Sequence, residues 1–199
     1  MKRILLLLGA ILMLSAPAFS QNESENDDDD EYVQNEFNYT TNGRGDQYLK
    51  IAIMGNWPLN FGEQLYTGMA ANLGFYTFVN PWIALGGDLM VGYNPTLGSN
   101  SLMFVPITFG VMVQPTLWKF EFPITTSVGF AFESCQNKKY FPGFTGKLDA
   151  GAFFRMNESW SFGLGSEFLY LPQWYTTTEN ADSDYGLFLT GYVCARYHF

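Results

Sequence analysis

Apolar side chains recur at every second position in eight separate segments of the chain, from Tyr48 to the C-terminus. Successive side chains of a β-strand point to opposite faces of a sheet, so this period of two predicts strands that each carry one apolar face. The predicted strands cover residues 48–57, 67–78, 82–93, 102–114, 118–133, 146–156, 160–170 and 185–199.

The face opposite the apolar one carries most of the charged side chains. In the segment 118–133, apolar and threonine side chains alternate with Lys119, Glu121 and Glu133, and the last strand places Arg196 opposite its apolar face. An apolar face opposite a charged one is typical of a strand that contacts lipid outside and a polar lumen inside. A soluble barrel is the alternative, and it is disfavoured because it would bury about ten ions.

The connections between the predicted strands alternate between short and long. Tight turns are predicted around Asn80-Pro81, Pro115-Thr116 and 157–159, whereas longer and more polar connections cover residues 58–66, 94–101, 134–145 and 171–184. Short turns on one side and long loops on the other are typical of outer-membrane barrels, whose termini lie on the short-turn, periplasmic side. The pattern predicts an all-β, up-and-down, eight-stranded antiparallel transmembrane β-barrel over residues 48–199, with both termini in the periplasm.

Aromatic side chains make up 18% of the chain and concentrate near the ends of the predicted strands. Near the short turns they are Trp82, Trp118, Trp160, Tyr197 and Phe199, and near the long loops they are Trp57, Tyr93, Phe130, Phe132, Phe168 and Tyr170. Because Trp and Tyr are enriched at both membrane–water interfaces, we expect two aromatic girdles around the barrel.

Residues 1–20 have the three parts of a secretory signal peptide. Lys2 and Arg3 precede an apolar run from Ile4 to Leu14, and small residues follow at the expected cleavage site. The run is too short for a transmembrane helix, which needs about 20 apolar residues. We therefore interpret residues 1–20 as a targeting segment that directs export.

An acidic segment follows the signal peptide, since nine of the 19 acidic residues lie between Gln21 and Asp46. A segment with so much charge and so few apolar residues cannot bury enough apolar surface to become ordered. Residues 21–47 are therefore expected to form a disordered periplasmic tail. The net charge of −9 and the lack of a basic patch argue against nucleic acid as a partner. Arg44-Gly45-Asp46 matches an integrin-binding tripeptide, but so short a motif is unspecific and this one is predicted on the periplasmic side.

The inward face of the predicted barrel carries nearly balanced charge. Its ions are Lys50, Lys119, Lys147, Arg155 and Arg196 against Asp88, Glu121, Glu133, Asp149 and Glu167. The interior of an eight-stranded barrel is just wide enough for side chains, so these ions are expected to pair and plug the lumen. Glu121 and Arg155, on adjacent strands, are the first pair expected. Small inward residues elsewhere leave room for water or a narrow apolar slot.

The sequence offers little material for catalysis or for metal binding. His198 is the one histidine, it lies at the periplasmic edge, and no serine or carboxylate of the extracellular rim is expected near it. A single histidine excludes a multi-histidine metal site. We predict no enzyme, no metal and no cofactor. Cys135 and Cys194 are expected at opposite ends of their strands, beyond disulfide reach, as free thiols.

Three features together resemble a known group of proteins: the strand Pro106–Val111, the repeated glycine-rich alternating strands, and the terminal Tyr197-His198-Phe199. Over about residues 48–199 the chain resembles small eight-stranded outer-membrane barrels of the OmpA, OmpX and OmpW type. The resemblance implies outer-membrane lipid as a partner. It also implies that Tyr197 and Phe199 form the signal read by the barrel assembly machinery. The acidic tail departs from that pattern.

Three functions remain open at this stage. The first is a structural or surface-interaction barrel with a plugged lumen, and the second is a narrow channel for small hydrophobic or polar solutes, as OmpW-type barrels imply. The third is an adhesin that acts through surface loops carrying Lys138, Lys139, Tyr140, Trp174 and Tyr175, since aromatic side chains beside charge suit an interaction surface. The sequence identifies no external ligand.

Overall fold

A computed structural model of the chain describes residues 42–60, 65–96, 101–135, 138–172 and 185–199, all of which belong to the compact unit of residues 37–199. The predicted signal peptide and most of the predicted acidic tail lie outside the described residues. The strands are β1 Gln47–Pro58, β2 Gly68–Asn80, β3 Ile83–Pro95, β4 Ser101–Val113, β5 Thr116–Leu117, β6 Phe120–Glu121, β7 Ile124–Cys135, β8 Lys138–Arg155, β9 Trp160–Pro172 and β10 Tyr185–His198.

The long strands form one closed antiparallel barrel. Consecutive long strands pair along the wall, β8 pairs with β9, and β1 pairs with β10 from Tyr48↔His198 to Pro58↔Phe188. Closure leaves no free sheet edge along the paired wall, which is the condition for a sheet to cross a bilayer. The predicted all-β, eight-stranded antiparallel barrel is confirmed. Among the described residues, no helix is long and apolar enough to span a membrane.

Exposure alternates along the strands as the period of two predicted. In β1, Lys50, Ala52 and Met54 are buried, whereas Ile51 and Ile53 are 51% and 60% exposed. The same alternation continues around the wall, so the polar face lies inside and the apolar face lies outside. Soluble monomers rarely expose apolar patches larger than a few hundred Å², so an apolar wall on this scale is suited to lipid.

Aromatic rings fill the interior by packing across glycines of the neighbouring strand. The phenol of Tyr192 in β10 lies where a Cβ on Gly165 of β9 would be, and the ring of Phe104 in β4 lies against Gly92 of β3 in the same way. These close approaches require glycine, since any side chain would overlap the ring. The many glycines of the strands are therefore partly explained by the volume of a filled lumen.

The predicted strand 118–133 is interrupted in the structure. Its start is a turn at Trp118 and Lys119, with Trp118 at a φ of 55°, and β6 is separated from β7 by Phe122-Pro123. Pro123 has no N–H for the ladder, although its carbonyl accepts a bond from Gly151 N at 3.0 Å. β6 and β7 pair with β8 in one register, so together they occupy a single strand position in the barrel wall.

The predicted loop 134–145 is largely strand. β8 begins at Lys138, and the ladder pairs Cys135↔Lys138, Ser134↔Lys139 and Glu133↔Tyr140. Lys138, Lys139 and Tyr140 therefore lie in a strand rather than in a loop, which corrects the prediction. A bulge adds one residue to β8 between Tyr140 and Gly143, where Pro142 also lies. The bulge shifts the alternation and explains why a period of two did not reveal this part of the strand.

The described residues begin ahead of the first strand. Asn42 is buried at the end of the barrel that also holds the C-terminus, and Gly45 N donates to Phe78 O at 2.8 Å. The boundary drawn from the sequence at residues 47 and 48 therefore leaves out a short segment that packs on the barrel. Cys194 is a buried free thiol, as expected, whereas the side chain of Cys135 lies outside what the structure describes.

Candidate functional site: the lumen and its two ends

The middle of the lumen holds a network of buried ions that joins strands from different sides of the barrel. Lys50 Nζ of β1 lies 2.7 Å from Asp149 Oδ2 of β8. Lys147 Nζ, also on β8, lies 2.5 Å from Asp88 Oδ2 of β3 and 3.5 Å from Glu167 Oε2 of β9. All five side chains are nearly inaccessible to solvent. Buried ions require partners of this kind, because an unpaired charge in a low dielectric is strongly unfavourable.

Two tyrosines donate further hydrogen bonds to the aspartates in this network. Tyr76 OH donates to Asp88 Oδ2 at 2.6 Å, and Tyr192 OH donates to Asp149 Oδ1 at 2.9 Å. Lys50 Nζ also lies 4.7 Å from the centroid of the Tyr192 ring. Each aspartate thus accepts one bond from an ammonium and one from a phenol, which fixes both carboxylates in the centre of the lumen.

Arg155 connects four segments at the end of the lumen nearest the C-terminus. Its Nη1 lies 3.2 Å from Glu121 Oε1 and 3.0 Å from both Asn42 Oδ1 and His198 Nδ1. Its Nη2 donates to the carbonyl of Glu158 at 2.8 Å. The structure thus brings together Glu121 and Arg155, the pair expected from the sequence. It adds Asn42, which lies ahead of the predicted barrel.

Arg196 occupies the same end, between two aromatic rings. Its Cζ lies 3.4 Å from the ring centroid of Phe153 and 4.8 Å from that of Tyr48. Its Nη1 donates to Gln114 Oε1 at 3.1 Å and lies 3.7 Å from Glu121 Oε2. Glu121 therefore serves two arginines, and stacking on aromatic faces adds a cation–π contribution.

His198 is paired with a serine that sequence reasoning missed. Ser161 Oγ lies 2.9 Å from His198 Nε2, while Arg155 Nη1 occupies the side of Nδ1. A guanidinium only donates, so Nδ1 accepts and Nε2 carries the proton, which it donates to Ser161. In this tautomer His198 cannot take the proton of the serine, and the pair is not an activated nucleophile. The feature of the sequence that could have identified Ser161 is its inward position on the predicted strand 160–170.

The opposite end of the lumen, beside the long connections, contains a layer of buried apolar side chains. Phe104 and Phe188 stack with ring centroids 5.0 Å apart. Other fully or almost fully buried members of this layer are Leu65, Leu102, Leu169 and Leu171. The polar members of this end bond to each other, since Asn56 Nδ2 donates to Asn94 Oδ1 at 2.7 Å. This layer was not anticipated, although its residues occupy inward positions in the sequence.

Two other predicted sites have different outcomes. Lys119 was expected among the lumen ions, but it is half-buried in the turn before β6, with Nζ 5.3 Å from the ring centroid of Trp118. Trp174 and Tyr175 lie outside the described residues. Among the residues that the structure describes, no group of three or more His, Cys, Asp or Glu side chains is placed to hold a metal.

The aromatic side chains at the C-terminus lie on the outer surface. Tyr197 and Phe199 are 40% and 61% exposed, and the ring centroids of Trp160 and Tyr197 are 5.1 Å apart. Trp82 and Trp118 are also exposed at this end. The exposed aromatics at both strand ends have the positions expected of the two girdles.

A protein-family model and two proteins of one organism are similar to the chain in sequence. A protein-family model matches residues 23–197 of the chain. Two proteins of Treponema pallidum (strain Nichols), both named as uncharacterized proteins, are similar in sequence. One is 25% identical over 143 residues, which are 68% of this chain and 47% of that protein. The other is 27% identical over 137 residues, which are 60% of this chain and 62% of that protein. The chain thus spans less than two thirds of either relative.

Solved structures of small outer-membrane barrels are similar to the chain in fold. Neisserial surface protein A gives a TM-score of 0.64 at 10% identity and covers 78% of this chain and 100% of its own. The outer membrane protein OprG of Pseudomonas aeruginosa gives 0.51 at 9% identity, covering 79% and 97%. The outer membrane protein AlkL gives 0.51 at 12% identity, covering 90% and 97%. Similarity at these identities establishes the fold alone.

Proposed function

Because the chain belongs to the protein family matched over residues 23–197 and folds as a small outer-membrane barrel, we propose that it is an integral outer-membrane protein with a plugged lumen and a structural or surface-interaction role. The exposed apolar wall supports residence in a bilayer, because no soluble environment stabilises so much apolar surface. The proposal includes export by residues 1–20, assembly through Tyr197 and Phe199, and no enzymatic activity.

The observation that carries the proposal is the presence of buried side chains at three levels of the lumen. Arg155, Arg196 and Glu121 lie at the end near the C-terminus, and the network around Lys147 lies in the middle. Apolar side chains around Phe104 lie at the far end. Because an eight-stranded barrel has room for little more than its own side chains, these three layers support a plugged lumen.

The proposed orientation puts both termini in the periplasm and the long connections outside the cell. The hairpin of β7 and β8 supports an interaction role on that outer side. Its ladder continues to Cys135↔Lys138, while the described ladder between β8 and β9 begins only at Gly146↔Tyr170. Residues 138–142 of β8 therefore extend beyond the described ladder with β9, in a hairpin suited to contact a partner.

Limited proteolysis of intact cells tests this orientation. Protease added outside is expected to cut within 134–145 or 171–184 and to spare the acidic tail of residues 21–41. Cleavage in lysed cells serves as the control that the tail is a substrate at all. Cleavage of the tail in intact cells would invert the topology and remove the argument for an external role of the hairpin.

A narrow conduit is the second candidate, and it is favoured by buried polar atoms that have no protein partner. Among them are both side-chain amide atoms of Asn72 and the hydroxyl groups of Thr108 and Ser127. Such groups are usually satisfied by water, so part of the lumen is suited to hydration. Swelling of vesicles that contain the purified protein separates the candidates: a plugged barrel admits no small sugar, whereas entry at a steady rate would favour the conduit.

A further inference from the structure

The outer wall of β1 to β4 contains a concavity of about 800 Å³ that the functions above do not use. Outward apolar side chains line it, and Gly87 forms its floor. The principal lining side chains are Leu73, Phe75, Leu85, Leu89, Ile107 and Phe109. Thr77 is the one polar side chain that faces outward among the lining residues, so the groove offers little to a polar ligand.

Gly87 lies in the groove at a position flanked by aromatic side chains. Gly87 occupies an outward position between Leu85 and Leu89, and it is paired with Phe75 on one side and Phe109 on the other. A Cβ at Gly87 would lie 2.8 Å from both Phe109 Cδ1 and Thr108 O. The Phe109 ring therefore lies against Gly87, and Phe75 lines the groove from the neighbouring strand on the other side.

The dimensions of the groove match one leaflet of a bilayer. Its lining on β2 extends from Leu73 to Val79, which is roughly 20 Å along a strand that rises about 3.3 Å per residue. With a strand tilt of about 45°, this span covers roughly 15 Å of depth, half of a hydrocarbon core of about 30 Å. Val79 precedes the turn at Asn80, so the groove runs from the short-turn end of the wall to its middle.

We propose that this groove binds one acyl chain of a phospholipid from the leaflet at the short-turn end. The inference rests on the proposed placement in a membrane. A second copy of the chain does not fit, because an isologous contact would place two concave surfaces against each other and leave a void. A passage into the lumen does not fit either, because the ladders continue through Gly87 to Phe75 and to Phe109.

Photo-crosslinking tests the proposal with a phospholipid that carries a diazirine in its acyl chain. The purified barrel is reconstituted in vesicles containing this lipid, irradiated, and mapped by mass spectrometry. Labelling of Leu73 and Phe109 is expected to exceed by several-fold that of Leu164, which is 65% exposed on the distant strand β9. If labelling depends on exposure alone, Leu164 is labelled as strongly as the groove residues, and that result overturns the proposal.

Two matched variants sharpen the test. Leu73→Trp places a larger side chain in the groove. In this variant, labelling of Phe109 is expected to fall to the level of the rest of the wall. Leu164→Trp makes the same change on the apolar surface elsewhere and is expected to leave labelling of Phe109 unchanged. Equal labelling of Phe109 in both variants overturns the groove, as does photo-crosslinking of one barrel to another across it. Failure of the protein to float with vesicles contradicts the membrane placement itself, and the groove with it.

Discussion

Arg155 and Arg196 share Glu121 at one end of the lumen, whereas Phe104 stacks on Phe188 at the other. Both ends hold inward side chains of the same closed barrel, yet the forces that hold those side chains differ. The stability of the ionic end depends on the geometry and pairing of its charges, because each buried charge is removed from water and needs an ion partner. The apolar end depends on volume, because its side chains are held by packing and loss of contact with water. Substitutions at the two ends should therefore lower the stability of the barrel for different physical reasons.

The largest effect is expected for Glu121→Ala at the ionic end. The change leaves Arg155 and Arg196 without their shared carboxylate, and breaking a buried ion pair costs about 3–5 kcal/mol of unfolding free energy. Urea unfolding in phospholipid vesicles measures the loss. Glu158→Ala, at an exposed position beside the same end, is the control and should change stability little. Equal stability of the two variants would contradict the ionic account.

The next effect is expected for Leu169→Ala at the apolar end. Leu169 is fully buried, and truncation of a buried leucine to alanine costs about 2–5 kcal/mol, depending on how far the cavity collapses. Leu164→Ala removes the same atoms from the outward face of the same strand, where the side chain is 65% exposed and the loss should be smaller. The same unfolding assay compares them. A loss at position 164 as large as at 169 would show that the far end is not tightly packed.

A smaller effect is expected for Tyr192→Phe in the middle of the lumen. This change keeps the ring over Lys50 and removes only the hydrogen bond to Asp149, which is worth about 1.5–3 kcal/mol when one partner is charged. Tyr170→Phe, on the outer surface, is the matched control. A Tyr192→Phe variant as stable as the native protein would mean that Lys50 alone satisfies Asp149.

The smallest effect is expected for Ser161→Ala. His198 loses one hydrogen-bond partner and keeps Arg155, so the cost should be about 0.5–1.5 kcal/mol. Nitrogen NMR of labelled histidine offers the sharper readout. The native protein should show a neutral ring with its proton on Nε2, because Arg155 occupies Nδ1. A proton on Nδ1 would contradict this arrangement and reopen the question of an activated Ser161.

Much of the fold followed from the sequence because lipid outside and ions inside impose the same alternation on every long strand. Lys50 and Ile51 could be assigned to opposite faces without knowledge of the strand pairing. The exceptions have local causes. Pro123 interrupts a ladder that the pattern joined, and the bulge beside Pro142 hides the start of β8.

The lumen pairs were predictable only where strands are neighbours in sequence. Glu121 and Arg155 lie on adjacent strands, so their contact could be expected from the order of the strands. Lys50 and Asp149 lie on β1 and β8, which are not paired, and their contact depends on closure and tilt of the barrel. Asn42 lies ahead of the first strand, where no alternation marks it. Its role becomes visible only once Arg155 has been placed.

Conductance across a planar lipid bilayer tests the plugged lumen most directly. The purified native protein is inserted at a defined copy number, with slower migration after heating in detergent gels as evidence that each preparation is a folded barrel. The closed lumen predicts no steady conductance above that of the protein-free bilayer. A steady, ohmic conductance from the folded native barrel would contradict it and favour the conduit.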